Sequence, residues 1–238
     1  IFPAMGDDGL PVGGALGFLL RRDGLETWLN SRRDLGPVYL GRDYTDTADA
    51  ALSKIPGVTR TAEKAVEGAV ARLQAGQLGA LYTGRMEYGP RALCARTILS
   101  NPSPRETHHL LTERPHLSEF MPFAPVATAE RAAEVFGISK INRRACRYMT
   151  IATDVRPDWR KRIAAVVHVD QSARPQVIER ADNPLYHDII TGFEHTTGIA
   201  ALVNTSFNVH EEPIVNTPAE CARALTDGRI DFVVTNQA

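Results

Sequence analysis

Three arginines follow a short apolar run in the first half of the chain. They stand in and just after the segment Thr83-Gly84-Arg85-Met86-Glu87-Tyr88-Gly89-Pro90-Arg91-Ala92-Leu93. Two glycines let the backbone approach a ligand, and Arg85, Arg91 and Arg96 can each aim a planar fork of donors at phosphate oxygens. The segment therefore predicts an anion site. Taken alone, it also fits a solvated turn whose arginines pair with Glu87 and other surface acids.

Hydroxyl and amide side chains stand directly after the apolar run Ala200 to Val203. They belong to Thr205, Ser206 and Asn208. If the run is a strand, these groups lie at its carboxyl end, where the ligands of open α/β sheets gather. Phe207 is expected to point the other way and pack. The alternative is a turn in which the polar side chains bind their own backbone.

The segment His168 to Gln176 carries a histidine, an aspartate and an arginine. Alternation along a strand puts His168 and Asp170 on one face and leads into Arg174. A histidine and a carboxylate suit a metal ion or acid–base chemistry, but two such residues do not complete a metal site. We favour a hydrogen-bonded structural pair and keep the chemical roles as alternatives.

The patterns around these segments indicate a mixed α/β fold. A loop over Pro3 to Gly14 precedes a helix over Ala15 to Trp28, and a change of composition places a domain boundary near Ser31 to Gly36. Capping boxes at Ser103 and Thr217 each predict the start of a helix. The other predicted helices are Arg60 to Gln74, Thr128 to Phe136 and Asn183 to Phe193. The predicted strands are Ala80 to Tyr82, Tyr148 to Thr153, Ala164 to Val169, Gln176 to Glu179, Ala200 to Val203 and Phe232 to Val234.

The composition argues against several classes of protein. With 238 residues, 43% of them hydrophobic, the chain can bury one large core, or one core plus part of another domain. Its net charge of -1 speaks against a nucleic acid partner. The three cysteines form no paired motif, so we expect no disulfides, no zinc site and a reducing cytoplasm. The apolar runs are strand-sized, which predicts no membrane segment.

Five segments resemble one family in its order: the carbamoyltransferases typified by nodulation protein U, cephamycin carbamoyltransferase and tobramycin carbamoyltransferase. They are spread over the whole chain, and although each is weak to moderate alone, their shared order favours the anion-site interpretation. The segments are Gly6-Asp7-Asp8-Gly9 with Gly13-Gly14-Ala15, Gly84 to Leu93, Met121 to Pro125, His168 to Gln176, and Asn204 to Val215.

The resemblance implies a two-domain enzyme. Residues 1–35 look like the tail of an ASKHA/Kae1-like domain, and residues 36–238 look like a YrdC-like mixed twisted sheet flanked by helices. The YrdC-like domain is expected to join carbamoyl phosphate to ATP as carbamoyl adenylate. The other domain is expected to pass the carbamoyl group to a hydroxyl of a small-molecule acceptor, using a divalent, iron-like metal ion.

Asp7 matches the aspartate that holds this metal ion in the family. The two histidines that share the ion would lie before Ile1, which fits a piece of a longer enzyme. The chain also begins without a methionine and stops directly after the apolar run Ile230 to Val234, so both ends are expected to be trimmed.

The resemblance also assigns roles to single residues. Arg85 and Arg174 look like phosphate clamps, while Ser206 and Asn208 match a Ser-x-Asn pair that the family aims at nucleotide and carbamoyl groups. These four are the predicted catalytic residues, and we expect them to meet in one cleft. The expected further ligands of nucleotide and phosphate are Arg91, Arg96 and Thr205.

The chain departs from the family pattern in several places. Cys94-Ala95 stands where Gly-Asn is usual, and Glu211 stands where a glycine is usual. Leu117 occupies a position where relatives generally carry an arginine expected to touch carbamoyl phosphate. Arg114, about one helical turn away, is a candidate replacement.

Two other functions stay open at this point. A YrdC-type synthase would make threonylcarbamoyl adenylate from threonine, bicarbonate and ATP for tRNA modification, although the Gly-Pro-Arg-Ala-Leu and Met-Pro-Phe-Ala-Pro segments favour the carbamoyltransferases. A noncatalytic module, lacking the arginine at Leu117, would only bind nucleotide. Release of pyrophosphate that depends on carbamoyl phosphate distinguishes the three functions. An oligomer is compatible with the sequence.

Overall fold

The computed structural model of the chain describes residues 2–61, 64–103, 107, 114, 123–209 and 212–235. The strands are β1 (Tyr39–Asp43), β2 (Gly79–Tyr82), β3 (Arg85–Glu87), β4 (Arg96–Ser100), β5 (Ala124–Thr128), β6 (Thr153–Asp154), β7 (Ser172–Ala173), β8 (Gln176–Ile178), β9 (Leu202–Ser206) and β10 (Phe232–Val234). The α-helices are α1 (Leu10–Asp23), α2 (Leu25–Ser31), α3 (Thr45–Leu52), α4 (Ala65–Gln74), α5 (Ala132–Val135), α6 (Arg143–Cys146), α7 (Pro184–Thr197) and α8 (Pro218–Thr226). Short 3-10 turns occupy Asp7–Gly9 and Ala164–Val166.

A six-stranded mixed sheet forms the centre, in the order β10-β2-β4-β9-β5-β8. The pairs β10 with β2 and β5 with β8 are parallel, whereas β4 is antiparallel to both β2 and β9, and β9 is antiparallel to β5. These directions bring the carboxyl ends of β2 and β9 to the same end of the sheet as the amino ends of β4, β5 and β8. We call this the ligand end of the sheet.

Helices cover both faces of the sheet because every strand alternates its apolar side chains between two cores. Helices α4 and α7 pack over one face, where Leu81, Leu99 and Leu202 meet Leu73 and Phe193. Leu73 is completely buried, so Leu73→Ala is expected to cost about 2 to 5 kcal/mol of stability. The other face packs against α3, α8 and the segment 155–166, in a core that includes Ile98, Val203, Trp159 and Cys221.

Several predicted elements are confirmed. Strand β10 has the predicted bounds, and β8 and β9 lie within two or three residues of theirs. Asn183 caps α7 by accepting a hydrogen bond from the Tyr186 amide, and the capping box at Thr217 is complete. Helix α4 begins later than predicted, at Ala65. The box at Ser103 lies mostly outside the described residues.

Other predicted elements are wrong. Ala164 to Val169, predicted as a strand, begins with a 3-10 turn over Ala164–Val166, where buried Ile163 and Val166 join the core and the Ala165 amide donates to the Pro102 carbonyl. The predicted strand Tyr148 to Thr153 reaches strand geometry only at Thr153. In the predicted helix Thr128 to Phe136, Thr128 ends β5 and only 132–135 are α-helical.

The amino-terminal region forms two short helices where one was predicted. Gly24, at φ +80°, separates α1 from α2, and neither helix buries any of its residues. Residues just before α1 do pack: Pro3 and Ala4 are buried, and both lie against Gly89, whose φ of +103° favours glycine. The assignment of residues 1–35 to a separate domain stays a prediction. Among the described helices, none combines the length and apolar character that crossing a membrane requires.

Candidate functional site

Two arginines interact electrostatically near the ligand end of the sheet. Arg174 stands between β7 and β8, Arg91 stands in the loop after β3, and both are half-buried. Burial and, to a smaller extent, the charge of Arg91 lower the pKa of Arg174 to about 10. The Arg174 Nε atom is buried without a hydrogen-bond partner, and neither arginine has a carboxylate partner among the described residues. Two cations without a carboxylate partner in a partly desolvated place favour the approach of an anion.

The loop that carries Arg91 is held by a buried carboxylate. Glu87 Oε1 accepts the backbone N–H groups of Leu93 at 2.6 Å, Ala95 at 3.2 Å and Arg96 at 3.2 Å. Burial raises the pKa of Glu87, and the three N–H donors oppose that rise. The alternative of a solvated turn with Glu87 as a surface partner is therefore wrong. The sequence shows a glutamate six residues before Leu93, but it does not show that this side chain binds the backbone of the loop, because that depends on how the loop folds.

Arg96 is buried beneath the turn that precedes β3. Its guanidinium lies 3.8 Å from the Tyr82 ring centroid and donates to the carbonyls of Thr83 at 2.7 Å, Gly84 at 3.0 Å and Ala95 at 2.9 Å. These donors are occupied by backbone, so the structure does not place Arg96 as an open phosphate ligand. It instead holds the turn from which Arg85 projects.

The other predicted ligands are spread along the same end of the sheet. Arg85 is exposed on β3 beside Asp43 of β1, with which it pairs across the strands. Ser206 ends β9, half-buried, and its hydroxyl binds no described residue. Thr205 is also half-buried and stands on the opposite face of β9. Hydrogen bonds from Thr45 lower the pKa of Asp43, and the charge of Arg85 adds to that effect.

Asn208 lies in the loop after β9. Its amide donates to the backbone oxygens of Val209 at 3.0 Å and Glu212 at 2.8 Å, while its Oδ1 atom is buried without a partner. The amide therefore stabilises its own loop. Strand β5 separates Ser206 on β9 from β8, which follows Arg174. The convergence of all four predicted catalytic residues in one cleft stays a prediction.

The predicted strand containing His168 is a turn. His168 Nδ1 lies 3.0 Å from Ser172 Oγ, and the Ser172 amide donates to Asp170 Oδ1 at 3.0 Å. Each side chain thus binds Ser172, and no hydrogen bond between His168 and Asp170 is described, so the predicted pair on a common strand face is wrong. Burial lowers the pKa of His168, with Arg174 acting in the same direction and Asp170 opposing it.

Asp7 is exposed in the turn Asp7–Gly9, next to the loop that carries Arg91. The Tyr88 hydroxyl donates to the backbone oxygen of the neighbouring Asp8, and the Tyr88 ring lies 6.1 Å from that of Phe2. Within the described part of the chain, no group of three or more His, Cys, Asp and Glu side chains could hold a metal ion. Asp7 alone does not fit the expected divalent metal ion.

Arg114 does not replace the arginine missing at Leu117, and Leu117 itself lies outside the described residues. Arg114 donates to Gly228 O at 2.7 Å and to Asp231 at 2.8 Å. Asp231 precedes β10 and accepts the Leu78 amide, so Arg114 lies at the end of the sheet opposite to the ligand end. The prediction that it compensates for Leu117 is wrong, because its donors are already bound there.

One described cavity is lined by neither Arg91 nor Arg174. It encloses about 580 Å³ between α3, α4 and β10, with Asp49, Arg60 and Phe232 among its lining residues. None of the predicted site residues lines it. The arginine pair, whose charges have no counterpart, is therefore the better candidate for the functional site.

Comparisons with known proteins agree with the resemblance. The profile of the family described as carbamoyltransferase C-terminus matches residues 70–238. An uncharacterised protein of Methanocaldococcus jannaschii is 33% identical over 241 residues, which cover 97% of this chain and 38% of that protein. The 3'-hydroxymethylcephem-O-carbamoyltransferase of Amycolatopsis lactamdurans is 31% identical over 222 residues, 91% of this chain and 38% of the relative. The chain thus spans about two fifths of the length of these relatives.

The fold is similar to crystal structures of HypF. The phosphate- and nucleotide-bound form of full-length HypF superimposes with a TM-score of 0.53 at 17% identity, over 73% of this chain and 21% of that chain. HypF of T. kodakarensis gives a TM-score of 0.53 at 13% identity, over 76% of this chain and 22% of that one. This likeness confirms the expected mixed α/β fold of the YrdC-like kind. With the family match over residues 70–238, the chain belongs to the carbamoyltransferase C-terminal family.

Proposed function

We propose that this chain binds carbamoyl phosphate and ATP at the arginine pair and forms carbamoyl adenylate, whose carbamoyl group passes to a hydroxyl of a small-molecule acceptor. The observation that carries the proposal is the pair of Arg91 and Arg174, which has no carboxylate partner among the described residues. Adjacent guanidinium groups repel each other until an anion compensates them. A phosphate group is the anion that arginine forks fit best.

The reaction balances as follows. Carbamoyl phosphate, ATP and one water molecule give carbamoyl adenylate, inorganic phosphate and pyrophosphate, with a new bond from a carbamoyl oxygen to the α-phosphorus of ATP. The hydroxyl oxygen of the acceptor then attacks the carbamoyl carbon, loses its proton and releases AMP. The contribution of this chain is to hold phosphate groups in line and to neutralise the charge that develops on them.

The relatives support the two ends of this proposal. The Amycolatopsis enzyme is named for O-carbamoylation of a hydroxymethyl group, which supports a hydroxyl acceptor. A HypF structure that is similar over 21% of its chain is described as phosphate- and nucleotide-bound, and we take this as support for proposing the same classes of ligand here. Three buried, unpaired cysteines support a reducing cytoplasm as the place of action.

Release of pyrophosphate tests the proposal. We expect release from ATP when carbamoyl phosphate is present and none with ATP alone. Release that requires threonine and bicarbonate instead would identify a threonylcarbamoyl-adenylate synthase, and nucleotide binding without release would identify a noncatalytic module.

A matched pair of variants links the reaction to the site. Arg174→Met is expected to lower the rate at least tenfold, since it removes one of the two proposed phosphate ligands. Arg21→Met, which changes an exposed arginine of α1, is expected to leave the rate unchanged. Equal rates for both variants would contradict the assignment of the site to the arginine pair.

A further inference from the structure

A chain of buried hydrogen bonds lies directly behind the arginine pair. The Asn204 amide on β9 donates to the Gln176 side-chain carbonyl on β8 and to the Ala92 backbone oxygen at 3.2 Å. The Thr97 hydroxyl donates to Asn204 Oδ1, and the Cys94 thiol donates to Gln176 Oε1 at 3.1 Å. No more than 3% of the surface of these four polar residues is exposed.

The hydrogen bond between the side-chain amides of Asn204 and Gln176, which we call the bridge, passes over a strand. Strand β5 lies between β8 and β9, and its residue opposite Asn204 is Ala124. Paired residues share a face of the sheet, so a larger side chain at Ala124 would occupy the space in which the amides of Gln176 and Asn204 meet. The bridge therefore depends on a small residue at this place.

Every element that carries a proposed ligand touches this network. Gln176 comes two residues after Arg174, and Asn204 comes two residues before Ser206 on the same face of β9. The backbone oxygen that accepts the second Asn204 bond belongs to the residue directly after Arg91. The side-chain amides of Gln176 and Asn204 thus join β8, β9 and the loop that carries Arg91, which we call the arginine loop.

We propose that Gln176 and Asn204 are positioning residues that fix the separation between the two arginines and Ser206, so that all three meet one phosphate-bearing ligand. This inference rests on the proposed function. Buried hydrogen bonds between side-chain amides are suited to fixing this separation because, unlike apolar contacts, they are lost over small displacements. The bridge itself touches no reacting atom.

Cys94 ties the arginine loop to this bridge at a conformational cost. Its φ is +81°, a region that L side chains rarely adopt, and burial raises the pKa of its thiol well above the ordinary value. The thiol is therefore a neutral donor to Gln176. A glycine at position 94 would relieve the backbone strain but would remove the hydrogen bond to Gln176. A substitution here can therefore raise the stability of the fold while it weakens the positioning of the ligand residues.

Titration of inorganic phosphate and pyrophosphate into the protein, followed by calorimetry, tests the inference. Gln176→Met is expected to weaken binding at least fivefold. In an Arg174→Met background the same change is expected to alter binding by less than twofold, because the bridge acts through Arg174. A fivefold loss that persists in that background would show a general loosening of the fold and overturn the inference.

Cys94 supplies variants that do not threaten the fold. Cys94→Gly is expected to raise the unfolding temperature and yet weaken binding about threefold, whereas Cys94→Ser is expected to bind like the parent because it keeps a donor. If Cys94→Gly and Gln176→Met both bind phosphate and pyrophosphate as tightly as the parent, the positioning role of the bridge is overturned and the proposed function is not. A parent protein that binds neither anion would overturn the proposed function together with the bridge.

Discussion

Replacing Arg174 by methionine is expected to stabilise the empty protein and to weaken its binding of phosphate. The arginine is half-buried, and its guanidinium lies near Arg91 without a compensating carboxylate. Its pKa in the folded protein, about 10, lies below the ordinary value, so folding disfavours the charged form. At neutral pH this charge lowers stability, and the loss fades only as pH rises through about 10 and the folded guanidinium releases its proton.

The size of the expected gain in stability follows from the lowered pKa of Arg174. The fall of the Arg174 pKa to about 10 corresponds to roughly 3 kcal/mol at about 1.4 kcal/mol per pKa unit. Because the guanidinium is only half-buried, solvent screening reduces this to on the order of 1 to 2 kcal/mol. For a chain of this size, that raises the unfolding temperature by about 2 to 8 °C. Methionine is the better replacement, because it keeps an unbranched aliphatic stem that packs where the arginine stem does.

Two measurements check the prediction. Thermal unfolding without phosphate is expected to show the variant above the parent. Calorimetry is expected to show phosphate affinity lower by at least about 30-fold, since truncating a desolvated charge contact typically costs about 2 to 5 kcal/mol. Arg21→Met is expected to change neither quantity. A variant that is less stable than the parent, yet binds phosphate as tightly, would refute the argument that Arg174 is an uncompensated ligand.

Three further outcomes are expected. Burial raises the pKa of Glu87, so its contribution to stability falls as the pH rises above the ordinary pKa of glutamate. In unfolding experiments, Glu87→Gln should therefore gain stability relative to the parent between acidic and neutral pH. A stability difference that does not change with pH would argue against a buried carboxylate. Arg96→Met should cost on the order of 3 kcal/mol, because the carbonyls that it binds lose their donors; a cost below about 0.5 kcal/mol in denaturant titrations would contradict that role. Divalent iron should bind this chain weakly or not at all, and tight stoichiometric binding that Asp7→Ala abolishes would disprove this.

Local chemistry made several features predictable. Thr217 and Glu220 cap α8 because their spacing satisfies exposed backbone donors wherever a helix starts. The apolar stripe of α4 and the run that forms β10 follow from periodicity alone. The prediction that Arg85 and Arg174 are phosphate ligands rested on motif order and on the donor chemistry of arginine, and it stays a prediction.

Other features could not be predicted, because they depend on distant partners. The apolar run at Ile163 to Val166 has strand composition, yet burial against the core and a bond to Pro102 bend it into a 3-10 turn. Arg96 and Arg91 look alike in sequence, but only the first lies over Tyr82 with its donors taken by carbonyls. Nothing in the local sequence of Arg114 indicates that it binds Asp231 at the far end of the sheet.

The sequence by itself determined the family, the mixed α/β class and a set of candidate phosphate ligands, because these depend on residue type and order along the chain. Tertiary structure decided which of those residues are available. It placed Arg91 next to Arg174 without a counter-charge, used Glu87 to hold the loop, and joined Gln176 to Asn204 across β5. The physical reason is that desolvation and pairing act between residues far apart in sequence, so the charge state and freedom of a side chain are properties of the folded chain.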